Sequence, residues 1–248
     1  MQLLDWPGIQ AAGLDLRIAR TPDQLRALQR LRFRIFTEEL GARFPLAVDG
    51  HDIDPFDPWC VHFMVSDQAS GQVVGTYRLL TPQAAAQAGR YYSASEFDLA
   101  PLQGRLPLLV EVGRSCIDAQ YRHGTAIMLL WTALGQVMVR EGYRYMLGCA
   151  SVSLRDGGVT ASEVWRRAQA LMARFPADPR IQPLHPYPLG QLNSTRPARV
   201  PPLIKGYLKL GATICGAPAW DTDFGTADFP ILLDLERLDA RYRRHFGI

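Results

Sequence analysis

At 248 residues, 48% of them apolar, the chain has enough material for one large hydrophobic core. Its net charge of +3, from 25 Arg and 2 Lys against 24 acids, excludes a strongly basic nucleic-acid binder and leaves room for local basic patches that meet an acidic partner. The most nearly apolar stretch, residues 127–139, is interrupted by Thr132, Gly135 and Gln136 and falls short of the roughly 20 residues a membrane crossing needs.

The first residues, Met1-Gln-Leu-Leu-Asp-Trp-Pro7, lack a positive region followed by an apolar one, so a cytoplasmic protein without a secretory signal is expected. Cys60, Cys116, Cys149 and Cys215 are far apart and show no metal-ligand spacing. They are expected to be reduced core residues, and no bound metal or cofactor is expected.

Residues 14–19 alternate apolar and polar as a strand does. Thr21-Pro22-Asp23 then opens a helix, an N-cap followed by Pro at the first position, which the pattern carries to about Leu40. Leu25, Leu28, Leu31, Ile35 and Phe36 fall on one face of it, predicting packing against a sheet. The loop that follows, residues 41–58, bears Asp49, Asp52, Asp54 and Asp57, and its length favours a functional role. Residues 59–66 and 73–80 read as an antiparallel hairpin turning through Asp67-Gln-Ala-Ser-Gly71. Residues 108–118 form a third long strand, and residues 125–141 an apolar helix ended by Gly142. The strand at residues 145–152 completes a strand-helix-strand unit, for which parallel pairing is expected. Residues 176–202 are rich in Pro and polar side chains, as a surface loop is. Pro201-Pro202 start a short helix through Leu210, and residues 212–214 and 229–233 are the last strands, separated by the turn-rich Trp220-Asp-Thr-Asp-Phe-Gly225. Residues 235–246 are expected to form a basic amphipathic helix.

This order of elements is similar to that of the GNAT acyltransferases. Three motifs narrow the likeness: Leu31-Arg-Phe-Arg-Ile-Phe-Thr-Glu-Glu-Leu-Gly41, His51-Asp-Ile-Asp-Pro-Phe-Asp57 and Val110-Glu-Val-Gly-Arg-Ser-Cys116. Together they resemble the branch that contains the ornithine N-acyltransferases, called hemolysin-like in some labels, and more distantly the acyl-homoserine-lactone autoinducer synthases. Pro201-Pro-Leu-Ile-Lys-Gly-Tyr-Leu-Lys-Leu-Gly211, continuing into Ala217-Pro-Ala-Trp-Asp-Thr-Asp-Phe-Gly-Thr-Ala-Asp-Phe229, resembles the ornithine N-acyltransferase C-terminal region. The resemblance implies an α/β (α+β) fold with a GNAT-like mixed central sheet flanked by helices and a C-terminal extension, as one domain over residues 1–248. It further implies transfer of a (3-hydroxy)fatty acyl group from acyl carrier protein to the α-amino group of L-ornithine, giving lyso-ornithine lipid at the inner membrane surface.

The matching position for the GNAT pyrophosphate loop reads Gln120-Tyr-Arg-His-Gly-Thr-Ala126, one residue out of register and with a single glycine. A carrier-protein phosphopantetheine, with one phosphate, needs a smaller cradle than coenzyme A. Arg122, His123 and the backbone of Gly124, Thr125 and Ala126 are the expected phosphate contacts.

Amide formation from a thioester requires a neutral amine, a donor for the oxyanion and a proton for the leaving thiolate. Glu111, a carboxylate inside an apolar strand, is the candidate general base, directly or through water; alternatively it pairs with an arginine to hold the core. Strict alternation puts Glu111 and Arg114 on opposite faces, and Gly113 between them suggests a β-bulge that turns Arg114 toward Glu111 and frees a backbone NH. Asp52, Asp54 and Asp57 either receive the δ-ammonium of ornithine or cap turns. Arg32 either organises these acids, binds the α-carboxylate or is solvated. Residues of the apolar helix, among them Met128, Leu129, Trp131 and Val139, line an acyl channel or serve as core. Arg237, Arg241, Arg243, Arg244 and His245, beside Leu238, Tyr242 and Phe246, suit an interfacial helix, a carrier-protein dock or a solvated end. Another amino-acid acceptor, an autoinducer synthase and a non-enzymatic membrane-active protein are the competing readings.

Overall fold

The computed structural model describes residues 6–44, 47–175, 179–191 and 196–246, and not the side chains of residues 191 and 245. Two short strands, β1 (Ile9–Ala11) and β2 (Leu14–Ile18), precede α1 (Pro22–Ile35). The start of α1 is set by a capping box in which Thr21 Oγ1 accepts from the Gln24 amide at 3.2 Å and Gln24 Oε1 accepts from the Thr21 amide at 3.1 Å. The helix does not run on to Leu40 as a regular α-helix, because Phe36–Leu40 wind as a π turn closed by left-handed Gly41. The hairpin follows as β3 (Val61–Asp67) and β4 (Val73–Leu80).

Between residues 81 and 108, where the sequence offered no pattern, lie α2 (Pro82–Ala88), the short β5 (Phe97–Asp98) and two stretches of 3-10 helix, Tyr92–Ser95 and Ala100–Leu108. Then come β6 (Leu109–Ile117), α3 (Thr125–Arg140) and β7 (Tyr145–Ser153). An unanticipated helix, α4 (Val159–Arg174), is followed by β8 (Gln182–Pro183), α5 (Pro202–Leu210) and β9 (Thr213–Ile214). A hairpin of β10 (Ala219–Asp221) and β11 (Thr226–Asp234) leads to α6 (Ala240–Phe246). Parts of the surface loop expected at residues 176–202 and the first five residues lie outside the described residues.

Among the described residues, the main sheet runs β1-β2-β3-β4-β6-β7-β11-β10, with β9 also on β11. Every neighbouring pair is antiparallel except β6 and β7, which are parallel as the strand-helix-strand order requires. Alternation along the strands separates two layers. Leu79, Val110 and Val112 pack with Leu130, Leu134 and Val137 of α3 on one face. Leu80 and Leu109 face the other way, toward α2, and α1 covers the same side with Leu31 and Ile35.

The terminal segment is not one helix. Leu235–Arg237 form a 3-10 turn, the backbone extends at Leu238, and Asp239 then caps α6 by accepting from the Arg241 amide at 2.7 Å. The Arg243 guanidinium fixes this break by donating to the carbonyls of Leu235 and Leu238.

Candidate active site

β6 and β7 are paired only over Leu109–Glu111, and from Val112 onward they part. Gly148 lies where they separate, and a Cβ there would stand 2.8 Å from the Val112 carbonyl oxygen, so a larger residue would push the strands apart too early. On its other edge β6 carries a bulge. Pairing with β4 passes from Thr76↔Cys116 to Arg78↔Gly113, which sets Arg114 and Ser115 together opposite Tyr77. The bulge therefore lies one residue after Gly113, which stays in the ladder. Arg114 adopts a left-handed φ of +50°, a conformation costing about 1 kcal/mol for a residue with a Cβ. The extra residue resets the alternation, so Cys116 packs with Leu31 and Ile35 of α1, while Ile117 packs with the α3 layer. Arg114 and Glu111 consequently share a face.

A cavity of about 700 Å³ passes through the gap between β6 and β7. Toward α1 and α2 it carries its charged groups, Arg78, Glu111, Arg114, Asp221 and Asp228 with Tyr92, set among apolar side chains such as Phe36, Phe56 and Phe224. Toward α3 its walls are apolar, with Trp131, Leu134, Ile204, Leu210, Ile231 and Phe246. A thioester lying in the gap has a place for a fatty chain on one side of the sheet and for a charged acceptor on the other.

Glu111 is buried at the charged side of the gap. Its carboxylate accepts from the backbone amides of Tyr92 and Ser93, each at 2.6 Å, and from the Ser93 hydroxyl. Burial pushes its pKa up, and the Ser93 and Tyr92 donors and the Arg78 charge only partly offset that. No ion pair joins it to Arg114.

Arg114 turns instead to the acidic loop, reaching Asp52 at 3.2 Å and Asp54 at 2.5 Å. Arg32 of α1, wholly buried, pairs with Asp52 at 2.8 Å and Asp57 at 2.7 Å, and Arg78 pairs with Asp54 and Asp57, each at 3.0 Å. Three aspartates are thus matched by three arginines. Burial works to raise the Asp57 pKa, but Arg32, Arg78 and the Gln29 amide outweigh it and hold this carboxyl well below the usual range. Asp52, Asp54, Asp57 and Arg32 are not among the residues that line the cavity, and the acids are engaged by Arg32, Arg78 and Arg114, which favours the alternative in which Arg32 organises the acids over a direct grip on ornithine.

A second acidic cluster had escaped the sequence reading. Glu96, Asp221 and Asp228 bring carboxylate oxygens within 4.8 Å of one another. Asp228 is buried beside Ser151 of β7 and accepts from Thr226 at 2.7 Å, and Asp221 ends β10. Neither oxygen of Glu96 has a hydrogen bond of ordinary geometry, although both are buried. Burial and the Asp228 charge push the Glu96 pKa up to about 8, and burial raises Asp228 to about 6. The signal is present in part: Asp221 and Asp228 fall in the C-terminal motif, Asp221 within its turn-rich segment and Asp228 with no role assigned.

At the start of α3, Arg122 and Gly124 line the cavity mouth, and Gly124 has a φ of +109°. Arg122 is already engaged, by Glu39 of the π turn and by the Ile117 carbonyl at 2.8 Å. His123 is exposed, Thr125 is half-buried and Ala126 is buried in the α3 layer. Of the expected channel residues Trp131 lines the cavity, whereas Met128, Leu129 and Val139 do not. Leu238 and Phe246 are buried and line it too, and Tyr242 stacks on Phe246. The apolar side of α6 is therefore turned inward, which removes the insertion face an interfacial helix needs; Arg237, Arg241 and Arg244 remain exposed.

A sheet opened between two parallel strands, a bulged strand beside the gap and a buried carboxylate at its edge define an N-acyltransferase of the GNAT class. The family model for the acetyltransferase (GNAT) domain matches residues 31–132. The chain belongs to the L-ornithine N(alpha)-acyltransferase family: it is 36% identical to the L-ornithine N(alpha)-acyltransferase of Brucella abortus, over 94% of this chain and 89% of that one. It is 31% identical to the enzyme of that name from Rhodobacter capsulatus, over 94% of both chains. In fold it is similar to the AHL synthase LasI, with a TM-score of 0.55, 13% identity and 95% of each chain covered. It is likewise similar to FeeM, an N-acyl amino acid synthase from uncultured soil microbes, with a TM-score of 0.52, 15% identity and coverage of 94% of this chain and 93% of that one.

Proposed function

We propose that this protein transfers a (3-hydroxy)fatty acyl group from acyl carrier protein to the α-amino group of L-ornithine, giving lyso-ornithine lipid. The observation that carries the reading, beside the family, is the cavity that crosses the sheet, apolar toward α3, carrying its charged groups toward α1 and α2, with Glu111 at the gap. The neutral α-amine attacks the thioester carbonyl, forming a C–N bond. Glu111 takes the proton the amine sheds and, as the C–S bond breaks, returns it directly or through water to the departing thiolate. Backbone amides of β6 beyond Glu111, on the edge no longer paired to β7, are the donors for the oxyanion, with Gly113 keeping that edge open. Arg114, held by Asp52 and Asp54, brings positive charge to the charged side for the α-carboxylate; Asp52, Asp54, Asp57 and Arg32 position Arg78 and Arg114. Trp131 Nε1, buried without a partner, offers a donor to a hydroxyl on the acyl chain.

Arg122, His123 and the first amides of α3, at Gly124, Thr125 and Ala126, receive the single phosphate of a carrier-protein arm. No described helix is long and apolar enough to cross a membrane. The enzyme works in the cytoplasm at the inner membrane surface, where its product belongs. Purified enzyme given ornithine and either acyl carrier protein or coenzyme A thioesters of the same chain tests the donor. The carrier-protein thioester is expected to give the higher kcat/KM by at least tenfold, and equal values would overturn that part of the reading. If the exposed arginines of the terminal segment dock the carrier, replacing Arg237, Arg241 and Arg244 with Gln raises KM for the acyl carrier protein and leaves a short acyl-pantetheine donor unaffected. An unchanged KM removes them from docking.

A further inference from the structure

Among the described residues two clusters of three acids stand out, and they differ in one respect. Asp52, Asp54 and Asp57 are matched by Arg32, Arg78 and Arg114 and lie behind the cavity wall. Glu96, Asp221 and Asp228 have no salt bridge among the described residues, and two of them face the cavity. Three carboxylates gathered without a cation repel one another, and the buried oxygens of Glu96, with Tyr92, Cys149 and Asp228 beside them, make no hydrogen bond of ordinary geometry.

We propose that Glu96, Asp221 and Asp228 are the specificity-determining site for the side-chain ammonium of the amino-acid acceptor. This rests on the acceptor reading above and deepens it, by assigning the residues that separate ornithine from an amino acid without a second amine. The placement suits the reaction. The 3-10 turn Tyr92–Ser95 presents the Tyr92 and Ser93 amides to Glu111, and its next residue is Glu96. Ser93 Oγ touches Glu111 and lies 3.4 Å from Cys149 Sγ, and the Cys149 thiol in turn lies against Glu96. Three residues of 3-10 helix advance about 6 Å. The α- and δ-nitrogens of extended ornithine are also about 6 Å apart by standard bond lengths. Adjoining Glu111 through Ser93 and Cys149, the cluster can hold an ammonium while the α-amine stays within reach of Glu111. A three-donor ammonium also matches three acceptor groups. The raised pKa values of Glu96 and Asp228 agree with a site that is charged fully only when a cation arrives.

The test compares ornithine with norvaline, which has the same carbon chain and no δ-amine, in wild type and in Glu96→Gln, Asp221→Asn and Asp228→Asn. Wild type is expected to favour ornithine in kcat/KM by 100-fold or more. Each substitution is expected to lower that preference at least tenfold, mainly through KM for ornithine, with norvaline little affected. Thermal melting gives a second readout: without substrate Glu96→Gln and Asp228→Asn melt no lower than wild type, and ornithine raises the wild-type melting temperature but not theirs. A wild type that prefers norvaline or another amino acid would defeat the acceptor reading itself. A wild type that prefers ornithine, with variants that keep the preference, would defeat only this assignment. So would loss of ornithine binding on chelation, restored by magnesium or calcium, since the carboxylates would then hold a metal ion.

Discussion

Glu111 is held by donors that restrain its carboxylate and by burial that raises its pKa, which under the proposed function makes it a stronger base than an ordinary carboxylate. Glu111→Gln is expected to lower kcat by about 100-fold or more while circular dichroism and melting stay close to wild type. Because the carboxylate is the active form and its pKa is raised, kcat/KM should fall as pH drops through that raised value, and the Gln variant should lose this limb of the profile. An unaltered rate or an unaltered limb would remove Glu111 from the chemistry. Arg32 and Asp57 act differently, on stability. Breaking a buried pair leaves an uncompensated charge, so Arg32→Met or Asp57→Asn should cost about 3–5 kcal/mol in urea unfolding. Asp57 has a folded pKa below its unfolded one. Its contribution is therefore complete above the ordinary carboxylate range and is lost as pH falls through the lower folded value, and Asp57→Asn should flatten the acid limb of the stability profile. The residue types were visible in the sequence, but the pairing was not. Arg32, Arg78 and Arg114 reach one loop from three elements far apart in the chain, and Glu96 meets Asp221 and Asp228 only through the fold.

Among the elements, those with a clear period were legible: α1 through its N-cap Thr21, Pro22 and apolar face, α3 through its apolar run, and β6 and β7 through the helix between them. The bulge was foreseen beside Gly113, but its extra residue is Arg114, because a left-handed φ need not fall on the glycine when ion pairs hold the arginine in place. The terminal segment misled, since the periodicity of residues 235–246 does not show which side faces solvent, and Leu238 and Phe246 serve the cavity. Leu134 of α3, on the apolar wall, offers a test of the acyl side. Leu134→Phe should shift the preferred acyl chain to shorter lengths in competition among carrier-protein thioesters. Each methylene denied its place forfeits about 0.8 kcal/mol, roughly fourfold in affinity. A length preference identical to wild type would take this wall out of the acyl site.

At the scale of the whole molecule, the proposed function has one sheet keep two unlike substrates apart and let them meet at the gap between β6 and β7. In that reading acyl chain and charged acceptor approach from opposite faces, and the parting of β6 from β7 after Glu111 is the passage between them. This arrangement fixes which nitrogen reacts: with the side-chain ammonium drawn to Glu96, Asp221 and Asp228, only the α-amine lies beside Glu111. The most direct measurement is tandem mass spectrometry of the product formed by purified enzyme from acyl carrier protein thioester and L-ornithine. The account predicts a single mono-acylated ornithine with the acyl group on the α-nitrogen. Acylation at the δ-nitrogen, or no acylornithine from an enzyme that acylates a different amine, would contradict it.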